Sequence, residues 1–134
     1  MPMSINERPL SPHLQVYKVE LPMLLSGLHR ITGLALSVGS ILLVAWILCA
    51  VYSDTAFVSM NKFFGGYIGQ FVLFGWTFSL IYHSVSGVRH LIWDTGSLLD
   101  VGQILSSSKM VVAITAVLTL LAWFLAGGFP GGGA

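Results

Sequence analysis

The sequence predicts an all-α membrane protein with three transmembrane helices and a polar N-terminal segment. Of its 134 residues, 55% are hydrophobic and only 8% are charged, whereas an ordinary soluble domain carries about 25% charged residues. This deficit is too large for a surface that faces water, so lipid must cover much of the protein. Three uncharged runs each reach the roughly 20 residues that a helix needs to cross a bilayer. Because the backbone in lipid must satisfy its own hydrogen bonds, these runs are predicted to be helices.

Residues 1–20 form the predicted polar segment, which we expect at the inner face of the membrane. The segment contains Pro2, Pro9 and Pro12. It has no basic stretch followed directly by an apolar core, so it is not a secretory signal, and it lacks the Arg-rich amphipathic character of a transit peptide. We therefore expect an intact bacterial gene product or a mature organellar protein.

Residues 21–134 form the predicted three-helix transmembrane region. Pro22 suits the first turn of the first helix, because it lacks the N–H group that would be unpaired there. Asp54 and Lys62 bracket a short polar connection, and residues 106–109 introduce the third helix. The three predicted helices are about 22–52, 63–93 and 109–129.

The basic residues indicate the orientation of the helices. Lys62 alone lies on the side of the first loop, and the C-terminal tail has no Lys or Arg. This asymmetry of five to one predicts that the N-terminus and the second loop lie inside and the C-terminus outside. The five basic residues on the inner side are Arg8, Lys18, Arg30, Arg89 and Lys109.

His83 lies deep inside the second uncharged run. A side chain that can ionise or bind a metal must find a partner there, and imidazole is a common axial ligand of haem iron. The same histidine could instead donate a hydrogen bond to a carbonyl of a neighbouring helix. His83, Gly87 and His90 line one stripe of the second helix, and Gly87 leaves room for a flat macrocycle.

A second polar group, consisting of Ser26, His29 and Arg30, is expected at the inner end of the first helix. Together with Arg89 and His90 it predicts one site between helices near the inner surface. His29, Arg30, Arg89 and His90 are candidate cations for anionic haem propionates. Each has a simpler interpretation: Arg30 as a snorkelling lipid anchor, Ser26 as a hydroxyl bonded to its own helix, and Arg89 and His90 as helix-end cations.

Several functions and modes of attachment are disfavoured. A net charge of +1 gives no indication of nucleic-acid binding, and the single cysteine, Cys49, cannot form an internal disulfide. Because no Cys-x-x-Cys-His motif is present, any haem must be held by coordination and packing. A two-haem cytochrome would need four axial ligands from four histidines, of which His13 is expected outside the membrane.

The chain resembles the cytochrome b556 membrane-anchor subunits of succinate dehydrogenase, respiratory complex II, from about residue 8 to residue 100. Several spaced motifs in the right order carry this resemblance, and the third helix matches only in character. The motifs are Arg8-Pro9-Leu10-Ser11-Pro12-His13-Leu14, Leu21-Pro22-Met23, Ser26, His29-Arg30, Thr32-Gly33, His83, Gly87-Val88-Arg89-His90-Leu91 and Trp93-Asp94.

The resemblance implies a role for each of four site residues. His83 matches an axial ligand of haem b, whose other axial histidine comes from a second membrane-anchor subunit. His29 and Arg30 match residues near the haem propionates. Ser26 and Arg30 match residues of the ubiquinone site, which the iron–sulfur subunit and the other anchor complete. The chain would thus form half of a haem-binding helical bundle, while a flavoprotein subunit carries succinate oxidation elsewhere.

The expected function is therefore a multi-pass membrane anchor of succinate:ubiquinone oxidoreductase. A hydroxyl such as that of Ser26 can donate a hydrogen bond to a quinone carbonyl, and a guanidinium such as that of Arg30 can stabilise negative charge on the quinone. The expected location is the bacterial inner membrane with a cytoplasmic N-terminus, or the mitochondrial inner membrane. The alternatives are the anchor of a quinol:fumarate reductase and a haem-free structural anchor.

Overall fold

The computed structural model describes residues 18–127, and all regular secondary structure in this part of the chain is α-helical. The predicted all-α class is therefore confirmed. Only residues 18–20 of the predicted polar segment are among the described residues. Arg8 and His13 lie outside them. The helices are α1 (Leu21–Tyr52), α2 (Asp54–Gly65), α3 (Tyr67–Asp94) and α4 (Val101–Leu125).

Three of the four helices, α1, α3 and α4, are long and apolar enough to cross a membrane. They contain 32, 28 and 25 residues. At 1.5 Å per residue, α1 is about 48 Å long, which exceeds the roughly 30 Å hydrocarbon core. The ends of the spans therefore reach the polar interface. Pro22 lies in the first turn of α1, as its lack of an N–H predicts.

The segment after the first span differs from the predicted short polar connection, because it forms the helix α2. The Ser53 side chain accepts a hydrogen bond of 3.3 Å from the backbone N–H of Ala56 and so caps the helix. Asp54 lies in the first turn and Lys62 in the last turn, where their charges complement the helix dipole. As a result, the second span begins at Tyr67 and not near residue 63.

The third span, α4, begins at Val101, eight residues before the predicted start near residue 109. Its polar first turns remain helical because their hydroxyls are satisfied within the helix. Ser107 and Ser108 both donate hydrogen bonds to the carbonyl of Ile104, at 3.0 and 2.7 Å. Ser108 is also completely buried, so this turn packs against the rest of the protein.

Helix α3 is the centre of the structure, with α1, α2 and α4 packed against it. Small side chains such as Ser79, Ser86 and Ser108 are among the buried residues of α3 and α4, and such residues allow helices to approach closely in a membrane. Leu25, Tyr82 and Val111 form a small buried core between α1, α3 and α4. The buried residues of α4 fall on one stripe: Ser108, Val111, Thr115 and Thr119.

The two ends of the bundle differ in composition. We call the end with the start of α1 and the close of α3 the histidine end, and the opposite end, which contains α2, the connector end. At the connector end, the Trp46 indole N–H donates a 2.9 Å hydrogen bond to the Asn61 side-chain oxygen. An apolar cavity of about 830 Å³ lies here between α1, α2 and α3, lined by residues such as Val38, Leu42 and Trp76.

Candidate functional site

His83 projects from α3 against a single turn of α1. Its Nδ1 atom lies 3.1 Å from the backbone carbonyl oxygen of His29 and 3.4 Å from the Thr32 hydroxyl oxygen. A carbonyl oxygen can only accept a hydrogen bond, so the proton of neutral His83 must be on Nδ1. The Nε2 lone pair is then free to ligate a metal, as in many histidine ligands whose other nitrogen donates to a carbonyl.

Three histidine rings follow one another at this end of the bundle. His29 and His83 are stacked with their centroids 3.9 Å apart and their planes at 5°. The rings of His29 and His90 make an edge-type contact, with a centroid distance of 5.1 Å and an angle of 66° between their planes. Of the polar residues that the sequence predicts to form one site, His29, His83 and His90 lie together between α1 and α3. The Nδ1 atom of His29 is buried and has no hydrogen-bond partner within residues 18–127.

Two glycines leave space around His83. A Cβ atom on Gly33 of α1 would lie 3.0 Å from the Cε1 atom of His83, so the ring packs directly against the α1 backbone. A Cβ atom on Gly87 of α3 would meet no atom within 4 Å. Gly87 lies one turn from His83 on the same stripe, and this open space is compatible with a flat group beside the ring.

A second bond ties α3 to α1 next to His83. The Tyr82 hydroxyl donates a 2.7 Å hydrogen bond to the carbonyl of Leu25, and only 1% of Tyr82 is exposed. Leu25 and His29 are one helical turn apart on α1. The carbonyls of Leu25 and His29 therefore accept hydrogen bonds from the neighbouring residues Tyr82 and His83. These two bonds fix the register of α1 against α3.

Arg89 is linked to the histidine row through Trp93, whose ring lies 5.2 Å from that of His90. It follows His83 by six residues and so lies on another face of α3, and it is only 5% exposed. Its guanidinium carbon lies 4.1 Å from the centre of the Trp93 ring, a cation–π arrangement. Its Nε atom has no hydrogen-bond partner among the described residues. This environment favours the structural interpretation of Arg89 over a place at the rim of the site.

Ser26 and Arg30 are exposed on α1. They are four residues apart and share a stripe with Gly33, next to the stripe of Leu25, His29 and Thr32 that faces α3. Both side chains can therefore reach a molecule that approaches the histidine end from outside this chain. The structure places them within two turns of the His83 ring.

Thr32 and Tyr82 are parts of the site to which the sequence pattern assigns no role. Both make contacts with residues more than 50 positions away in the chain, Thr32 with His83 and Tyr82 with Leu25. The available signal for Thr32 was its position three residues after His29, which puts the two on one face of α1. The only signal for Tyr82 in the sequence was that it directly precedes His83.

The comparison with known proteins covers nearly all of the chain. Residues 4–122 match the family model described as succinate dehydrogenase/fumarate reductase transmembrane subunit. The succinate dehydrogenase cytochrome b556 subunit of Paracoccus denitrificans is 40% identical over 123 residues, which cover 90% of this chain and 95% of that protein. The cytochrome b560 subunit of Reclinomonas americana is 36% identical, covering 92% and 88%. The mitochondrial cytochrome b560 subunit of Sus scrofa is 38% identical, covering 84% and 68%.

Proposed function

Because the chain belongs to the succinate dehydrogenase/fumarate reductase transmembrane subunit family, we propose that it anchors a succinate:ubiquinone oxidoreductase and binds haem b at an interface with a second anchor subunit. Membership of this family makes it a membrane subunit of an oxidoreductase complex. We propose in addition that the chain shares its haem with a second anchor subunit, helps to form a ubiquinone site and assembles with further subunits.

The observation that supports haem ligation best is the hydrogen bond between His83 Nδ1 and the His29 carbonyl. It fixes the tautomer that leaves Nε2 available as an axial ligand. When bound, haem b supplies one-electron chemistry, and the protein tunes it through the ligands and their surroundings. Gly87 leaves open space on the same stripe of α3, so the side chains present fit a haem.

The second axial ligand of this haem should come from another chain. The lone pairs of imidazole lie in the ring plane, and the rings of His29 and His83 are stacked almost parallel. Two stacked rings cannot both point their lone pairs at one iron atom between them, so His29 is unsuited to be the opposite ligand of His83. This geometry supports a haem held between His83 and a histidine of the second anchor subunit.

His29 and Arg30 are proposed to hold the haem propionates, and Ser26 and Arg30 to bind ubiquinone. Arg30 presents a cationic, planar fork of donors, so it can pair with a carboxylate or stabilise negative charge that develops on the quinone. The Ser26 hydroxyl can donate to a quinone carbonyl. Both side chains are exposed, which supports a pocket that the iron–sulfur subunit and the second anchor complete.

The histidine end is proposed to face the cytoplasm of a bacterium, or the matrix of a mitochondrion. Among the described residues, four basic residues lie at this end and Lys62 lies at the connector end, a distribution typical of the positive-inside rule. The iron–sulfur and flavoprotein subunits would dock here. The four basic residues are Lys18, Arg30, Arg89 and Lys109.

A second candidate is the anchor of a quinol:fumarate reductase, because the matching family model covers both enzymes. Both would use the same site and differ in physiological direction. Rates of succinate oxidation and fumarate reduction by the purified complex, each with high-potential and low-potential quinones, separate the two candidates. A complex that contains no haem would instead support a purely structural anchor.

The haem assignment is tested with His83→Ala in the purified complex, using the reduced spectrum and a pyridine haemochrome assay. We expect loss of the b-type spectrum and of most of the haem. The matched control is His90→Ala, which removes another histidine of the same stripe and should keep the haem. An unchanged spectrum and haem content in His83→Ala would contradict ligation by His83.

The quinone role is tested with Arg30→Lys, which keeps the positive charge but removes the planar fork. We expect a loss of ubiquinone reduction of about tenfold or more, because one stabilising donor in a preorganised site typically contributes that much. Succinate oxidation by a soluble electron acceptor should stay unchanged. Normal ubiquinone reduction and inhibitor sensitivity would make Arg30 a lipid anchor.

A further inference from the structure

We propose that Thr32 is a positioning residue for His83, whose hydroxyl accepts part of the Nδ1–H hydrogen bond and thereby sets the redox potential of the haem. This inference rests on the proposed ligation of haem by His83. It assigns to α1 a part in tuning the haem, in addition to its part in the quinone site.

The surroundings of Thr32 leave its hydroxyl few options. The residue is 2% exposed, and its oxygen lies 2.9 Å from the carbonyls of both Leu28 and His29. The hydroxyl has a single proton. The His29 carbonyl already accepts from His83 Nδ1, so the proton is best placed on the Leu28 carbonyl. Because a protonated Nδ1 can only donate, the Thr32 oxygen is the acceptor in its 3.4 Å contact with His83 Nδ1.

The Nδ1–H group is thus shared between two acceptors of α1, the His29 carbonyl and the Thr32 hydroxyl. Acceptors on the far nitrogen of a metal-bound histidine fix the orientation of its ring and raise its basicity. A more basic ligand donates more electron density and favours ferric over ferrous iron. Removing one acceptor should therefore raise the reduction potential of the haem.

The test compares Thr32→Val with Thr32→Ser in the purified complex, using redox titration of the haem absorbance. Valine keeps the branched shape and removes the oxygen, whereas serine keeps the oxygen. In Thr32→Val, we expect the affinity of the protein for ferric haem, relative to ferrous haem, to fall by up to about tenfold. This is the low end of the loss of metal affinity that follows when the hydrogen-bond partner of a metal-bound histidine is removed. This change corresponds to a rise of about 59 mV for a one-electron couple. Thr32→Ser should stay near wild type.

The matched control is Thr115→Val in α4. Thr115 is also 2% exposed, and its hydroxyl has no partner within residues 18–127. This variant loses a buried hydroxyl that makes no hydrogen bond to His83 and should leave the haem potential unchanged. A shift in Thr115→Val as large as that in Thr32→Val would overturn the proposal, because it would reflect packing in general.

Other outcomes also decide the question. An unchanged potential in Thr32→Val overturns the proposal. A lower potential does so too, since it would place the hydroxyl proton on the His29 carbonyl. If Thr32→Val does not assemble, Thr32→Ala removes the oxygen without adding atoms and gives the same comparison. A wild-type complex without b-type haem would defeat the proposed function, whereas a haem that does not respond to Thr32→Val defeats only the role of Thr32.

Discussion

The helices α1 and α3 meet in different ways at the two ends of the bundle. At the histidine end, Tyr82 and His83 donate hydrogen bonds to the carbonyls of Leu25 and His29 across the interface. At the connector end, the same two helices line an open apolar cavity of about 830 Å³ together with α2. Gly39 of α1 packs there against the indole ring of Trp76, with no room for a Cβ atom at residue 39.

The difference indicates which part of the interface needs a defined geometry. Apolar helix faces gain little from association in lipid, so contacts such as Gly39 with Trp76 depend on the fit of their shapes. Hydrogen bonds between helices are directional and fix register as well as distance. Between α1 and α3, the described residues make such bonds at the histidine end, where a cofactor and a substrate are proposed to bind.

The largest expected effect is at the connector end, in Gly39→Ala. A Cβ atom at this position would overlap the Trp76 indole ring, so the helices or the ring must move at a cost of about 1–3 kcal/mol. We expect a lower thermal unfolding temperature of the purified complex and an unchanged haem spectrum. The control is Gly75→Ala, where a Cβ atom meets nothing within 4 Å. Equal unfolding temperatures for both variants would contradict the close approach.

The next effect is at the histidine end, in Tyr82→Phe. The variant loses the buried hydrogen bond to the Leu25 carbonyl, and such bonds between membrane helices contribute about 0.6 kcal/mol, up to about 1.7. We expect a modest loss of stability together with slower ubiquinone reduction, because Ser26 is next to Leu25. The control is Tyr67→Phe on the same helix, where the side chain is 94% exposed. Normal ubiquinone kinetics in Tyr82→Phe would show that register at this turn does not matter.

For Gly33→Ala we expect a smaller loss of stability, together with a change in the absorbance spectrum of the haem. The added Cβ atom would lie 3.0 Å from His83 Cε1, so the ring must shift by a few tenths of an ångström. The cost should be about 0.5–1 kcal/mol, comparable to a side chain held off its rotamer. The absorbance spectrum of the haem should change, whereas Gly27→Ala, with no atom within 4 Å, should leave it as in wild type. A normal spectrum in Gly33→Ala would place the His83 ring further from α1.

The smallest effect is expected for Trp46→Phe at the connector end. It removes the 2.9 Å hydrogen bond to Asn61, which is exposed, so the loss of stability should be at most about 0.5 kcal/mol. A double-mutant cycle with Asn61→Ala isolates this interaction. A coupling energy above 1 kcal/mol would mean that polar contacts contribute to the connector end as strongly as to the histidine end.

The extent to which the fold was predictable differs between the long and the short helices. The three spans follow from uncharged runs, since length and apolar character suffice to predict a membrane helix. The helix α2 was missed because Asp54 and Lys62 mark a polar segment whether or not it is helical. Its cap by Ser53 was a local signal that the charge pattern obscured. The polar start of α4 was missed because Ser108 is buried only by its packing partners.

The gathering of His29, His83 and His90 was also predictable, because antiparallel spans bring the start of α1 and the end of α3 to the same side. The contacts of His83 with Thr32 and with the His29 carbonyl were not, nor was the hydrogen bond from Tyr82 to the Leu25 carbonyl. These contacts depend on the rotation of each helix about its axis and on their register. No single position in the sequence determines either quantity.

The sequence by itself determined that this protein has three membrane spans and a histidine within one of them, because both follow from the energetic cost of charge and unpaired backbone in lipid. Only the tertiary structure decided which nitrogen of His83 carries the proton and which faces of α1 and α3 meet. The physical reason is that a hydrogen bond exists only at a particular distance and direction. Those are set by how helices far apart in the chain pack against each other.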